Sequence, residues 1–129
     1  MLRDDNLLRE SMIFCNILDE IFGYNFRYTL ELYIASKYGI RENLGLLFLK
    51  RPKLVYVALE NLLSSSETAL LLLKMIVHEL CRTLDLRINT DVVISSLIHN
   101  DLSITHNFIR KVYRKAKKHK ASMRIVERA

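Results

Sequence analysis

The stretch Glu67–Leu86, ETALLLLKMIVHELCRTLDL, limits what this chain can fold into more than any other segment. Ala69, Leu70, Leu72, Leu73, Ile76, Val77, Leu80, Cys81 and Leu84 recur at helical spacing and cover far more than one narrow face. Lys74, His78, Arg82 and Asp85 are left as a single polar stripe. A helix apolar over so much of its circumference needs neighbours on several sides, so it becomes the central member of a bundle. Its longest apolar run before Lys74 is Ala69–Leu73, too short to cross a bilayer, and no secretory leader with a small-residue cleavage site is visible. A cytoplasmic protein with no transmembrane segment is expected.

The other segments supply the partners. A first helix begins near Asn6, with Leu8, Met12, Cys15, Leu18 and Phe22 on its apolar face, and Gly23 can end it in a left-handed conformation. Asn25 is a candidate cap for a second helix that turns Phe26, Leu30, Tyr33 and Ile34 inward; Gly39 ends it and Ile40 folds back on its last turn. Leu44–Leu49 is too short a run to separate a buried loop, a helical turn and a brief strand. Pro52 suits the first turn of a helix to about Leu63, with Leu54, Val55, Ala58, Leu59, Leu62 and Leu63 buried. Ser64 and Glu67 match the S-x-x-E capping box, with Ser65 and Ser66 as alternative caps for the central helix.

Asn89 or Thr90 can cap a short helix near Asp91–Ile98, with Val92, Val93, Ser96 and Leu97 inward. Asn100 and Asp101 break it. Ser103 or Thr105 then starts a last helix at about 104–119, carrying Phe108, Ile109, Val112, Tyr113 and Ala116 on one face. With no strand alternation and no internal repeat, the expectation is an all-α fold: a compact orthogonal or irregular bundle of five to six helices around 67–86. A single domain over 1–120 with a frayed 121–129 tail follows, and 129 residues that are 50% hydrophobic are enough to bury a core.

Charge is distributed unevenly. Residues 110–129 hold nine bases against one acid, a net of +8, whereas the preceding residues hold eleven bases and thirteen acids, a net of −2. The formal +6 of the chain thus belongs to its end. On a helix, Arg110, Lys111, Arg114, Lys115, Lys117, Lys118 and Lys120 project together, a pattern suited to salt-sensitive binding of DNA or RNA phosphates with little base selectivity. A solvated face, an acidic protein partner and an anionic membrane surface fit the same run.

Two pieces, ILDEIFGYNFRYTLELYIASKYGI and KLVYVALENLL with SSETALLLLKMIVHELCRTLDL, resemble the small helical Nitrosopumilus-type output domain of archaeal signalling and regulatory proteins. The shared features are the Ile21-Phe22-Gly23 turn, Leu30-Glu31 ahead of Lys37-Tyr38-Gly39-Ile40, and Glu79-Leu80 in a long helix ending Leu84-Asp85-Leu86. The resemblance covers residues 17–86 and implies a helical, non-enzymatic regulatory role and an archaeal source. The chain departs from that pattern in the apolar LGLLFLKRP after the KYG turn, and in having Asp85 where a glycine is expected.

Motifs for catalysis are absent. His78-Glu79-Leu80-Cys81 is followed by Arg82, so the second histidine of HExxH is missing, and His78 with Cys81 lacks further metal ligands. His99, His106 and Asp101 form an acid–base or metal cluster only if tertiary packing gathers them. Asp4-Asp5 and Asp19-Glu20 read as solvated pairs, because adjacent residues do not share a helical face. No nucleophile elbow, phosphate-binding loop or dinucleotide turn is present. Cys15 and Cys81 read as packed, reduced thiols, and no cofactor is implied.

Two functional classes remain in front. One is a non-enzymatic regulatory or protein-interaction module that self-associates or joins a complex, with Leu46, Leu47, Phe48 and Tyr56 as candidate interface residues. The other is a sequence-nonspecific nucleic-acid-binding accessory protein that uses its basic last helix.

Overall fold

Local signals set the ends of most helices in the computed structural model, which describes the backbone of residues 2–128 and the side chains of residues 6–118. The order is α1 (Leu2–Phe22), α2 (Tyr24–Tyr38), α3 (Leu44–Lys50), α4 (Pro52–Leu63), α5 (Ser66–Leu84), α6 (Thr90–Ile98) and α7 (Leu102–Arg128). Seven helices and no strand are present among the described residues, against the five or six expected. The additional helix is α3. Asn43 starts it, its Oδ1 accepting the Leu46 N–H at 2.8 Å, and the Glu31 carboxylate accepts the Leu44 N–H at 2.6 Å.

Gly23 alone joins α1 to α2, at φ 85 and ψ 152, a region that residues with a side chain rarely enter. It leaves Asn25 inside the first turn of α2 and not at its cap. Of the three serines, Ser65 caps α5 by accepting the Thr68 N–H at 3.1 Å, while Ser64 closes α4 in a left-handed conformation. Asn89 caps α6 through the N–H groups of Asp91 and Val92. α7 begins at Leu102 and continues to Arg128, past the predicted end near His119. The side chains of the 121–129 tail lie outside the described residues.

α5 packs against α4, α6, α7 and α1, and α1 in turn packs against α2, α3, α5 and α7, so no single helix is the centre. Ala69, Leu73, Ile76, Val77, Leu80, Cys81 and Leu84 are buried along α5. At its end Asp85 takes the left-handed conformation at φ 52, and the Leu86 N–H reaches back to the Cys81 carbonyl at 2.8 Å. α1 is rotated from the expected face. Cys15 and Leu18 are buried as expected, but Leu8 and Met12 are exposed and Ser11, Phe14 and Ile17 are buried in their place. Val92 of α6 and Leu62 and Leu63 of α4 are likewise exposed, while Val93, Ser96, Leu97, Val55, Ala58 and Leu59 are buried as expected.

Gly45 sets the closeness of α3 to α1. A Cβ there would lie 2.4 Å from the Ser11 carbonyl oxygen and 2.8 Å from Ser11 Cα. The contact is reinforced by polar links, with Asn43 Nδ2 donating to Ser11 Oγ at 3.3 Å and the Gly45 N–H donating to Cys15 Sγ at 3.3 Å. Burial pushes the Cys15 thiol up from its ordinary pKa, so it stays neutral. Arg27 completes the corner: its guanidinium grips both oxygens of Asp19 at 2.9 and 3.0 Å and Glu31 at 2.8 Å. Asp19 is therefore half-buried and paired, not solvated; Asp4 and Asp5 lie outside the described side chains.

Candidate functional site

α7 is positioned by its apolar stripe. Thr105, Phe108, Ile109, Val112 and Ala116 are buried along one face, each with another of them three or four residues away. Arg110, Lys111, Arg114, Lys115, Lys117 and Lys118 are all exposed. At about 100° per residue they cover roughly 160° of the helix. Among the described residues only Arg110 has a carboxylate within reach, Glu10 at 3.8 Å, so the face remains strongly positive. Lys120 lies outside the described side chains.

The start of the helix is locked from two directions. Asp101 Oδ1 accepts the Ile104 N–H at 3.4 Å, and His106 Nε2 lies 2.6 Å from the Leu49 carbonyl oxygen. A carbonyl can only accept, so His106 carries its proton on Nε2 and satisfies one of the carbonyls left orphan at the end of α3. Ser96 and Thr105 meet through their hydroxyls at 3.1 Å in the buried seam between α6 and α7.

α1 runs beside α7 and contributes a second wall. Between them is an open groove of about 670 Å³. Asn6, Leu7, Arg9 and Glu10 line it from α1; His106, Arg110, Tyr113 and Arg114 line it from α7. Lys117 Nζ stands 5.8 Å from the centre of the Tyr113 ring, extending the positive surface over its edge. Three arginines, Arg9, Arg110 and Arg114, thus line one concavity. Such an arrangement can hold phosphate oxygens through paired N–H donors. Comparison with known proteins finds no matching family model, curated protein or solved structure.

The structure separates the other candidates. His99 lines a shallow groove of about 390 Å³ with Asp91 and Asp101, whereas His106 faces the α1–α7 groove. His78 is exposed while Cys81 is buried, its thiol pushed above the ordinary value by that burial. Beside them Arg82 bonds Glu79 at 2.7 Å and holds its carboxyl below the usual range. No group of three metal-ligating side chains occurs among the described residues, and no described helix is long and apolar enough to cross a membrane.

The candidate interface needs correction. Leu47 and Phe48 are core residues, Phe48 meeting Phe14 edge-on at a ring separation of 5.6 Å, and only Leu46 and Tyr56 retain partial exposure. The run Leu44–Leu49 is apolar because α3 is enclosed by α1, α2, α4 and α7. What sequence reasoning missed is the contribution of α1. Asn6 and Glu10 share a face at helical spacing, but only the packing of the first helix against the last brings them and Arg9 to the basic surface.

Proposed function

We propose that the protein is a non-enzymatic helical module that binds nucleic acid through its phosphate backbone, using the exposed face of α7 together with Arg9 of α1. The observation that carries this reading is the cluster of six exposed cations on one helix, with a single ion pair among them and three arginines converging on one groove. Affinity for such a surface comes chiefly from release of counterions around the phosphates and falls steeply with salt.

Fluorescence anisotropy with labelled DNA and RNA, repeated between about 50 and 200 mM salt, tests it. Binding should weaken along a log–log slope, and converting Lys115, Lys117 and Lys118 together to glutamine should flatten that slope by about 2 to 3. Absence of binding at low salt by folded protein, or a slope indifferent to the triple variant, would refute the proposal.

A second reading is association with another copy or another protein, in a regulatory role of the kind the output-domain resemblance implies. It is favoured by Leu71 and Met75, 59% and 51% exposed and one turn apart on α5, and by the stacked Tyr24 and Tyr28 with exposed Leu32 on α2. Light scattering across a concentration series checks the self-association component, which a monomeric mass throughout would remove.

A further inference from the structure

His106 lines the α1–α7 groove with Arg9, Arg110 and Arg114, but its ring is not free to choose where its proton sits. Nε2 stands 2.6 Å from the Leu49 carbonyl oxygen, which only accepts, so the Nε2 proton is committed there. Nδ1 has no hydrogen-bond partner among the described residues and is not buried, so it is the nitrogen left for the groove. In the neutral ring it offers only a lone pair, which repels a phosphate oxygen. An unrestrained imidazole could move its proton to Nδ1 and remain neutral; here that exchange would orphan the Leu49 carbonyl. The one form of His106 that serves Leu49 and a phosphate together is the imidazolium, which donates from both nitrogens.

We infer that His106 is itself a phosphate ligand of this groove, taking up a proton from solvent on Nδ1 as the phosphate binds. The inference rests on the nucleic-acid reading above and deepens it, adding a residue to the site and making its affinity depend on pH. The groove presents Arg9 and Glu10 from α1 and Arg110, Tyr113 and Arg114 from α7 itself. From α3 comes the Leu49 carbonyl; the one charged side chain of that helix, Lys50, is paired with Glu42 at 3.0 Å. α5 and α6 also pack against α7 but add no side chain to the groove. Arginines keep their charge at every working pH, and an anion within reach favours the charged form of imidazole. His106 is therefore the groove cation whose charge changes near neutral pH. Its second proton needs no rearrangement, because the Nε2–H bond to Leu49 is made in both states.

The test is anisotropy with a single-stranded oligothymidine without a terminal phosphate, at one low salt concentration, for the wild type, His106→Gln and His119→Gln. Neither its phosphodiesters nor its bases titrate between about pH 6 and pH 8, the interval spanning the ordinary imidazole range. Binding adds a proton, so affinity is highest at the acid end and falls as pH rises. The wild type should bind about tenfold more weakly at the upper pH, the loss of one charge-assisted hydrogen bond. Glutamine keeps a donor for Leu49 but cannot gain a charge, so His106→Gln should hold its affinity within about twofold over the same interval. His119→Gln, which removes the other histidine of α7, should retain the wild-type decline. A wild-type affinity indifferent to pH overturns the inference and leaves backbone binding standing, and that comparison needs no variant to fold. A decline that survives His106→Gln, or one abolished by His119→Gln, also overturns it. Failure to bind even at the acid end in low salt removes backbone binding and the role of His106 together.

Discussion

Gly45→Ala should be among the most damaging single-methyl additions to this protein. The new Cβ would stand 2.4 Å from the Ser11 carbonyl oxygen, 2.8 Å from Ser11 Cα and 2.9 Å from Ser11 C, all backbone atoms of α1. Carbon contacts settle near 3.5 to 4.0 Å, so α3 must retreat by roughly 1 Å. The retreat lengthens the Gly45 N–H to Cys15 and Asn43 to Ser11 hydrogen bonds, both already 3.3 Å. Overpacking of this kind costs about 3 kcal/mol, and alanine returns about 0.5–1 kcal/mol through its better helix propensity. A net loss of about 2 kcal/mol, spread over the unfolding entropy of a chain of this length, lowers Tm by about 7 °C. Thermal unfolding followed by circular dichroism measures it, with Gly39→Ala as control. Gly39, unlike Gly45, has a positive φ, at 71°, but a Cβ there meets nothing within 4 Å, so its cost is about 1 kcal/mol of backbone strain alone. A Gly45→Ala protein as stable as the wild type would refute the close approach of α3 to α1.

Asp85→Gly should raise stability by about 1 kcal/mol, seen as a higher urea midpoint, since it removes a side chain from a left-handed position and a negative charge from the end of α5. His106→Ala should cost about 1–2 kcal/mol by orphaning the Leu49 carbonyl, and should do so in denaturant titrations without nucleic acid present. The raised pKa values of Cys15 and Cys81 mean that the unfolded thiols ionise first; stability is full below the ordinary value of 9.0 and declines as pH rises above it. Urea midpoints from neutral to alkaline pH should show that decline, and Cys15→Ala should make it shallower.

Much of the fold was legible because its signals are local. Pro52, Gly39, Asn89 and the serine run mark helix ends through backbone chemistry that does not depend on distant partners, and the buried stripe of α7 follows from spacing alone. The helical state of Leu44–Leu49 was not legible, since seven residues carry less than two full turns of pattern and the Glu31 carboxylate that receives its first N–H lies in another helix. Leu8 and Met12 misled for a related reason: an apolar residue at helical spacing is compatible with either of two adjacent faces, and Ser11 with Gly45 decides which one packs. The six described α7 cations stand exposed where their spacing put them. Arg9 and Glu10 were hidden because nothing in α1 announces that α7 will lie beside it.

That pairing of first and last helices has a consequence for how the molecule matures. Glu10 and Arg110 are about a hundred residues apart in the chain, and closing so long a loop delivers its contacts only after its entropy has been spent. The corner built by Arg27, by contrast, joins α1, α2 and α3 through neighbours in sequence. The groove exists only once α1 and α7 have docked, so ligand capture there reports that docking.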